Sequence, residues 1–466
     1  MRKQLLLLDF GSTYTKGTLV DVKNATLLAQ VSAETAVKTS IMTSYEAILQ
    51  QLEGELGAST LKIQDTYIAS SAFGGFKMVA IGLTNSLTAK AAVNVALGSG
   101  TRILNTYAYQ VSSADVEEIA QLAPDVVLLT GGTEGGNTNF IIEAAEKLKV
   151  LPKSIPLVVA GNTQAYPAIK EHFANAPDRI IFAENIMPKT NFLRPDKTRQ
   201  ILRQIFFEKI ISAKGLGDLK HLSPHPILPT PLSVLEAAEL LSKGTLHENG
   251  LGPTCIVDIG GATTDIHSVI ENHEHQANRI QLGLPEPVVK RTVEGDLGMR
   301  YSSQSLLMNC GVAAFQKKDP ALTAEDIEQR CRKLEEHPDQ LPTNDWELAF
   351  DQTLARIACE EAMQRHAGTE TYVEEESEGT YYWQGKDLRG IQNVIGTGGV
   401  IVHSPAPLDI LRETTTPHRS AAGRSLFPER PAFYRDQAYL LSAMGLLAKD
   451  YPELALKIMK AHLEKL

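Results

Sequence analysis

Thr254-Cys-Ile-Val-Asp-Ile-Gly-Gly-Ala-Thr-Thr-Asp-Ile-His-Ser-Val269 decides the fold, because the chain carries a second stretch of the same form near its other end. Leu5-Leu-Leu-Leu-Asp-Phe-Gly-Ser-Thr-Tyr-Thr-Lys-Gly-Thr-Leu-Val20 is again an apolar strand ending in Asp, a Gly/Ser/Thr turn and a second apolar strand. Asp9 matches Asp258, Gly11 matches Gly260, and Thr13–Thr15 matches Thr263–Asp265. Matched copies this far apart imply duplicated domains rather than a short-repeat solenoid. Each copy holds what a phosphate needs: glycine backbone that approaches without a Cβ in the way, and hydroxyl donors. Each also holds a carboxylate at a strand end, the ligand magnesium takes together with water. Two such hairpins facing each other can clasp a nucleoside triphosphate from both sides.

A third glycine signal reads as part of the same duplication. Asp125-Val-Val-Leu-Leu-Thr-Gly-Gly-Thr-Glu-Gly-Gly136 is a buried strand running into a glycine loop, with a helix from about Asn139. Asn393-Val-Ile-Gly-Thr-Gly-Gly-Val400 has that form in the second half. Two small-residue helices suit an interdomain hinge: Leu228–Leu241, just before the second Asp hairpin, and Leu441–Leu447, near the C-terminus.

With these five elements in order, the chain resembles the actin-like ATPase superfamily, which includes actin, the seventy-kilodalton heat-shock proteins and sugar kinases. Asp9–Thr15 is similar to the first phosphate motif of that superfamily, Asp258–Asp265 to the second, and Ile395–Gly399 to its adenosine motif. The resemblance implies an α/β fold of duplicated ribonuclease H-like domains, here with an additional α/β portion in the first half and a mostly helical insertion in the second. The expected halves are residues 1–250, with the first connecting helix, and 251–466, with the insertion at about 311–390. Closer phrases, Leu129–Asn137, Asp258–Val269, Lys290-Arg-Thr-Val-Glu-Gly-Asp-Leu-Gly-Met-Arg300 and Tyr439–Ala455, resemble the glutamate mutase accessory family, called MutL-like and unrelated to mismatch repair. That resemblance implies an ATP-driven reactivating chaperone whose partners are the subunits of a coenzyme B12-dependent mutase, either glutamate mutase or an aminomutase.

The chemistry expected is phosphoryl transfer from ATP to water, with Mg2+ and the nucleotide as cofactors. Asp9 and Asp258 would hold the metal. Gly11, Ser12, Thr13, Thr15, Gly260, Gly261, Ala262 and Thr263 would surround the phosphates. Gly396, Gly398 and Gly399 would let adenosine lie against backbone. Lys16 either neutralises phosphate or stands on the exposed side of its strand. The water-orienting acid is open among Glu236, Glu239 and Asp265. His267 reads as a satisfied, partly buried histidine. Asn162 and Asn185, at strand ends, read either as ligand contacts or as turn residues. Rival readings on the same fold are a small-molecule kinase, which needs a pocket acid the sequence does not name, and an ATP-dependent amidohydrolase of the hydantoinase or oxoprolinase type. The Walker A pattern Gly-x-x-x-x-Gly-Lys-[Ser/Thr] does not occur.

Composition points to a soluble cytoplasmic protein. A formal net charge of −10 and the lack of any broad basic stretch argue against nucleic acid. The Leu5–Leu8 run is too short for a membrane span, and Asp9 ends it. Cys255, Cys310, Cys331 and Cys359 show no metal-ligand spacing, which argues against the iron–sulfur activators that share the superfamily fold. Alternating strand and helix signals from residue 66 to residue 182 predict a parallel sheet. Thr323 predicts a helix N-cap, and Glu374–Glu378 reads as a solvated acidic loop.

Overall fold

The computed structural model describes residues 3–11, 14–35, 41–57, 61–71, 76–97, 101–212, 221–271, 278–374, 379–416, 419–420 and 423–466. Ser12, Thr13 and most of the acidic loop, residues 375–378, lie outside the described residues.

The N-terminal motif folds as a hairpin of β1 (Gln4–Phe10) and β2 (Tyr14–Asp21), followed by antiparallel β3 (Thr26–Glu34) and then β4 (Ile63–Ser70), which lies parallel to β1 on its other side. A chain with period-2 geometry sends alternate side chains to opposite faces. Because β1 is central, both faces must be apolar: Leu6, Leu8 and Phe10 enter one core cluster, and Leu5 and Leu7 enter another.

Between residues 77 and 182 the chain forms a separate sheet of β5 (Lys77–Gly82), β6 (Arg102–Ala108), β7 (Val126–Leu129), β8 (Leu157–Val159) and β9 (Ile180–Phe182). All its pairings are parallel, in the order β6-β5-β7-β8-β9. This is the doubly wound arrangement in which the second strand returns to the far side of the first. Met78, Ala80, Val126, Leu128 and Val158 join the same core as Leu6 and Phe10, while Val79, Ile81, Val127, Leu129 and Val159 form a core of their own. The added sheet is thus welded to the first half by one face. The short β10 (Leu228–Pro229) then closes the first sheet beyond β4.

The second motif repeats the design. Strands β11 (Thr254–Ile259) and β12 (Thr264–Val269) form the hairpin. Strand β14 (Val289–Glu294) follows β12, and β17 (Asn393–Thr397) and β20 (Ala432–Asp436) run parallel beyond β11, with β21 (Leu463–Lys465) at the edge. The orders β3-β2-β1-β4-β10 and β14-β12-β11-β17-β20 are the same, strand for strand and sense for sense.

Strand order corrects two sequence expectations. The partner of β17 in the first half is β4, not β7, which belongs to the added sheet. The hairpin registers also place Asp9 opposite Lys16 and Asp258 opposite Asp265. Lys16 is therefore the equivalent of Asp265, and Thr15 of Thr264, one residue off the match expected from composition.

The region 311–390 is less of an insertion than its polarity suggests. Asn344 caps a helix, Asp345–His366, that places Phe350, Leu354, Ile357, Ala358, Cys359 and Met363 in the core of the second sheet. The region then turns to strand: β15 (Thr369–Val373) and β16 (Thr380–Gln384) join β13 (Arg279–Leu282), β18 (Arg419–Ser420) and β19 (Gly423–Ser425) in a fourth sheet that the sequence did not announce. Thr323 does cap its helix, with Asp326 completing a reciprocal capping box. No helix among the described residues is long and apolar enough to cross a membrane.

The two halves meet on the connecting helices Thr230–Lys243 and Leu441–Leu446. Val234, Ala237, Leu241, Leu441 and Met444 share one core with Leu5 and Leu7 of β1 and Ile256 of β11. Gly445 is required here, because a Cβ would overlap the carbonyl of Ser233 on the facing helix. Ser233 in turn donates its hydroxyl to the carbonyl of Ser442. Gly445→Val is expected to force the helices apart at a cost of about 1–3 kcal/mol. Thermal unfolding measures that loss. If the parent's small-angle scattering profile changes with nucleotide, the variant's is expected to stay unchanged.

Candidate functional site

A cavity of about 960 Å3 lies between the halves and takes in both turns. Asp9, Gly11, Lys16, Asp258, Gly260, Gly261, Ala262, Thr263, Asp265 and Gly399 all line it. The two turns are closed by the same bond: the amide of Gly11 donates to the Tyr14 carbonyl at 3.0 Å, and that of Gly260 donates to the Thr263 carbonyl at 2.9 Å.

The charged phrase Lys290–Arg300 buttresses the second turn. Gly298 packs so closely on Ala262 that a Cβ would overlap its backbone. The amides of Met299, Arg300 and Tyr301 donate to the carbonyls of Gly260 and Gly261 at 2.8–3.0 Å, and the Ser302 hydroxyl donates to that of Ala262 at 3.0 Å. In a trans peptide the N–H points away from the preceding C=O. With these three carbonyls tied back, the amides of Gly261, Ala262 and Thr263 point away from the buttress. An anion in the cleft needs donors of this kind.

Asp9 sits at the end of β1, where Thr230, the first residue of the first connecting helix, donates its hydroxyl to Oδ1 at 2.6 Å. Asp258 is partly open to the cleft, yet set deep enough that burial, reinforced by Asp265, pushes its carboxyl up to about 7. Two strand-end carboxylates and no larger cluster of ligating side chains, among the described residues, is a donor set that suits magnesium, which keeps most of its waters. Lys16 lies over the Tyr439 ring, 2.9 Å from its centroid. Burial lowers the Lys16 ammonium, while Asp9, Asp258 and Asp436 draw it back up. Asp436 was missed in the sequence. It is buried, is the last residue of β20, and accepts from Thr397 Oγ1 at 3.1 Å and from the amides of Leu440 and Leu441 at 2.9 and 3.1 Å.

The remaining expected residues separate. The Thr15 hydroxyl is buried against Thr35 at 3.0 Å, facing away from the cavity lining. Gly396 is a core position, where a Cβ would meet Ile401 at 2.7 Å, and Gly398 (φ +92°) lets its loop pass over Ile259. Only Gly399 of the three glycines lines the cleft. Glu236 is paired with Lys449 at 3.0 Å and Glu239 with Lys243 at 2.6 Å, and neither is in the lining. Asp265 lines it, but its Oδ1 is taken by Nε and Nη2 of Arg291 at 2.8 and 2.6 Å, and its Oδ2 accepts from Thr263 at 2.9 Å. The buried Asp265 is thereby an orienting group for Thr263 and not a free base.

Asn162 and Asn185 hold the loop after β7: their amides donate to the carbonyls of Gly136 and Gly132 at 3.1 and 2.9 Å. His267 is fully buried, both ring nitrogens without a partner among the described residues, and burial keeps it neutral. That corrects the expectation of a satisfied, partly buried side chain.

The raised Asp258 carboxyl has a consequence for the nucleotide-free protein. The folded chain keeps a proton there up to about pH 7 that the unfolded chain releases near pH 4. Between those limits the folded state binds more protons, so this group's contribution to stability falls as pH rises. Asp258→Asn has no such proton to lose. In chelator, its melting temperature is expected to exceed the parent's by a margin that grows from pH 4 to pH 7 and then levels.

A family model described as "MutL protein" matches residues 5–463. The chain is 42% identical over 460 residues to "Protein MutL" of Clostridium tetanomorphum, covering 99% of each chain. Among solved structures it is similar to a gluconate kinase from Lactobacillus acidophilus (11% identity, 100% of this chain and 93% of that one, TM-score 0.34). It is also similar to a Plasmodium falciparum glycerol kinase with ADP (10%, 98% and 92%, TM-score 0.35). Those superpositions are too loose to carry an argument about the site.

Proposed function

The chain belongs to the MutL protein family, and from that membership and the cleft we propose that it is a magnesium-dependent ATPase that acts as an accessory, reactivating chaperone to a coenzyme B12-dependent mutase such as glutamate mutase. The observation that carries the ATPase reading is the pair of matched turns lining one cavity, each with an Asp at its strand end. In this reading Asp9 and Asp258 hold the metal through water, and the amides of Gly261, Ala262 and Thr263 take the phosphates. Gly399 marks the adenosine end. The ammonium of Lys16, set over Tyr439, adds positive charge beside the two carboxylates. The halves, taken as 1–250 and 251–466, would close on ATP, whose γ-phosphate can engage both turns at once, and relax on ADP. A ligand shifts such an equilibrium only by contacts that differ between the two states.

The rival kinase reading needs a free carboxylate to take a proton from an acceptor hydroxyl. Asp265 is held by Arg291 and Asp351 by Arg300 at 2.5 Å, which speaks against these two and leaves that reading the exposed Asp339 of the lining. Purified protein should release phosphate from Mg-ATP without any added acceptor, and faster with a cobalamin-dependent mutase. Release seen only with a sugar or a cyclic amide would replace this function with a rival.

A further inference from the structure

Three arginines line the cleft: Arg102, Arg291 and Arg300. The last two are ion-paired, to Asp265 and Asp351. Arg102 makes no ion pair among the described residues. It is the first residue of β6, so it belongs to the added parallel sheet and not to either phosphate hairpin.

Its position is fixed from both sides. The Arg102 amide donates to the Phe76 carbonyl at 2.7 Å, in the first half. The preceding carbonyl, of Thr101, accepts from Nη1 of Arg291, in the second half, at 3.4 Å. Nearby, Lys90 on the helix before β6 pairs with Glu286 at 2.6 Å, again across the halves. The guanidinium itself lies on Gly295, where a Cβ would collide with Nη2, Cζ and Nε. Gly295 is not among the glycines with positive φ. Its lack of a side chain is therefore explained by the passage of the Arg102 guanidinium, and not by backbone conformation. The segment that buttresses the second turn thus keeps a seat for an arginine from another sheet, and that arginine reaches the cleft with no carboxylate paired to it among the described residues.

We propose that Arg102 is a catalytic residue that contacts the γ-phosphoryl group during hydrolysis, an inference that rests on the ATPase reading above. In that step a water oxygen bonds to the γ-phosphorus as the bond from phosphorus to the β,γ-bridging oxygen breaks. The electron pair of the broken bond leaves with ADP, and the protons of water pass to the phosphate product and to solvent. Arg102 neither gives nor takes a proton; its fixed positive charge offsets the charge gathering on the phosphoryl and bridging oxygens. Because the residue comes from the added sheet, hydrolysis requires that sheet to be seated against the second half.

The test uses the full-length chain. Arg102→Ala is expected to lower single-turnover hydrolysis of Mg-ATP by about a thousandfold and to lose the complex trapped by ADP with aluminium fluoride, while ADP binding stays at the parent level. Arg102→Lys restores charge without the planar fork and should recover part of the rate. Gly295→Ala keeps Arg102 but fills its seat, and should reproduce the loss of both rate and trapping; it covers the case in which Arg102→Ala does not fold. Parental hydrolysis by Arg102→Ala, or by Gly295→Ala, overturns the proposal. So does a loss of ADP binding that matches the loss of rate, which would mark Arg102 as packing between the halves. A parent protein that neither binds nor hydrolyses Mg-ATP removes the ATPase reading itself and this proposal with it, and that outcome is read without any variant.

Discussion

Asp258→Asn is expected to bring ATP hydrolysis to background, a fall of about 10²–10³-fold or more, in a protein that still folds. The carboxylate stands at the end of β11, opposite Asp265 and open to the cleft. Its burial makes the charged form costly in the empty protein, so a bound cation is what renders that charge favourable. The amide keeps the shape and removes the charge. Asp9→Asn should act alike, since an amide oxygen still accepts from Thr230 while the metal loses its other anion. Phosphate release measured across a magnesium titration checks both. A variant that turns over at the parental rate would show that the two hairpins are not the site.

The second large effect expected is all-or-none. A cobalamin-dependent mutase inactivated by its own turnover should regain activity with this protein, ATP and fresh coenzyme, and should regain none when ATP is left out or when Asp258→Asn replaces the parent. Cobalamin is large and enclosed in its mutase, so its exchange needs the mutase to open. Closure of a hinged ATPase against a protein surface supplies work that ATP binding alone, at equal affinity for both shapes, could not. Region 311–390 remains the proposed contact, narrowed by the burial of its long helix to the flanking residues. Among these, Leu341 is 69% exposed, Tyr372 52% and Tyr381 44%. Removing Glu374–Glu378 should weaken mutase binding more than basal hydrolysis, as judged by pull-down and phosphate release on the same preparation. Reactivation that proceeds equally well without ATP ends the reactivase reading.

The central strands were legible because a strand buried on both faces announces itself: Leu5–Leu8 and Cys255–Val257 are apolar at every position and end in Asp. Register was less so. Thr13, Thr15, Thr263 and Thr264 are chemically alike and invite a match one residue out, although the spacing from Asp9 to Lys16 equals that from Asp258 to Asp265; backbone pairing decides for the spacing. Assignment to a sheet was not legible at all. Strands β7 and β17 are both short, buried and followed by glycines, and nothing local says that they join different sheets. The fourth sheet was hidden for the opposite reason: its strands are two to five residues long, polar, and drawn from three distant segments. Of the site, the glycines and aspartates could be read from their spacing. Thr230, Tyr439 and Arg102 could not, since each reaches the cleft from a separate element.

The equivalence of Lys16 and Asp265 bears on the direction in which the cleft can be filled. Two halves with the same strand order would, had they stayed alike, offer a guest two poses related by a half-turn, each as good as the other. At this one position the halves carry opposite charge, and the anion is already spoken for by Arg291. Turning a polyanion end for end would swap a cation for a neutralised pair, so the two poses are no longer degenerate. A difference at one residue thus gives two otherwise matched halves a head and a tail, and a guest carrying charge at one end has one pose to prefer.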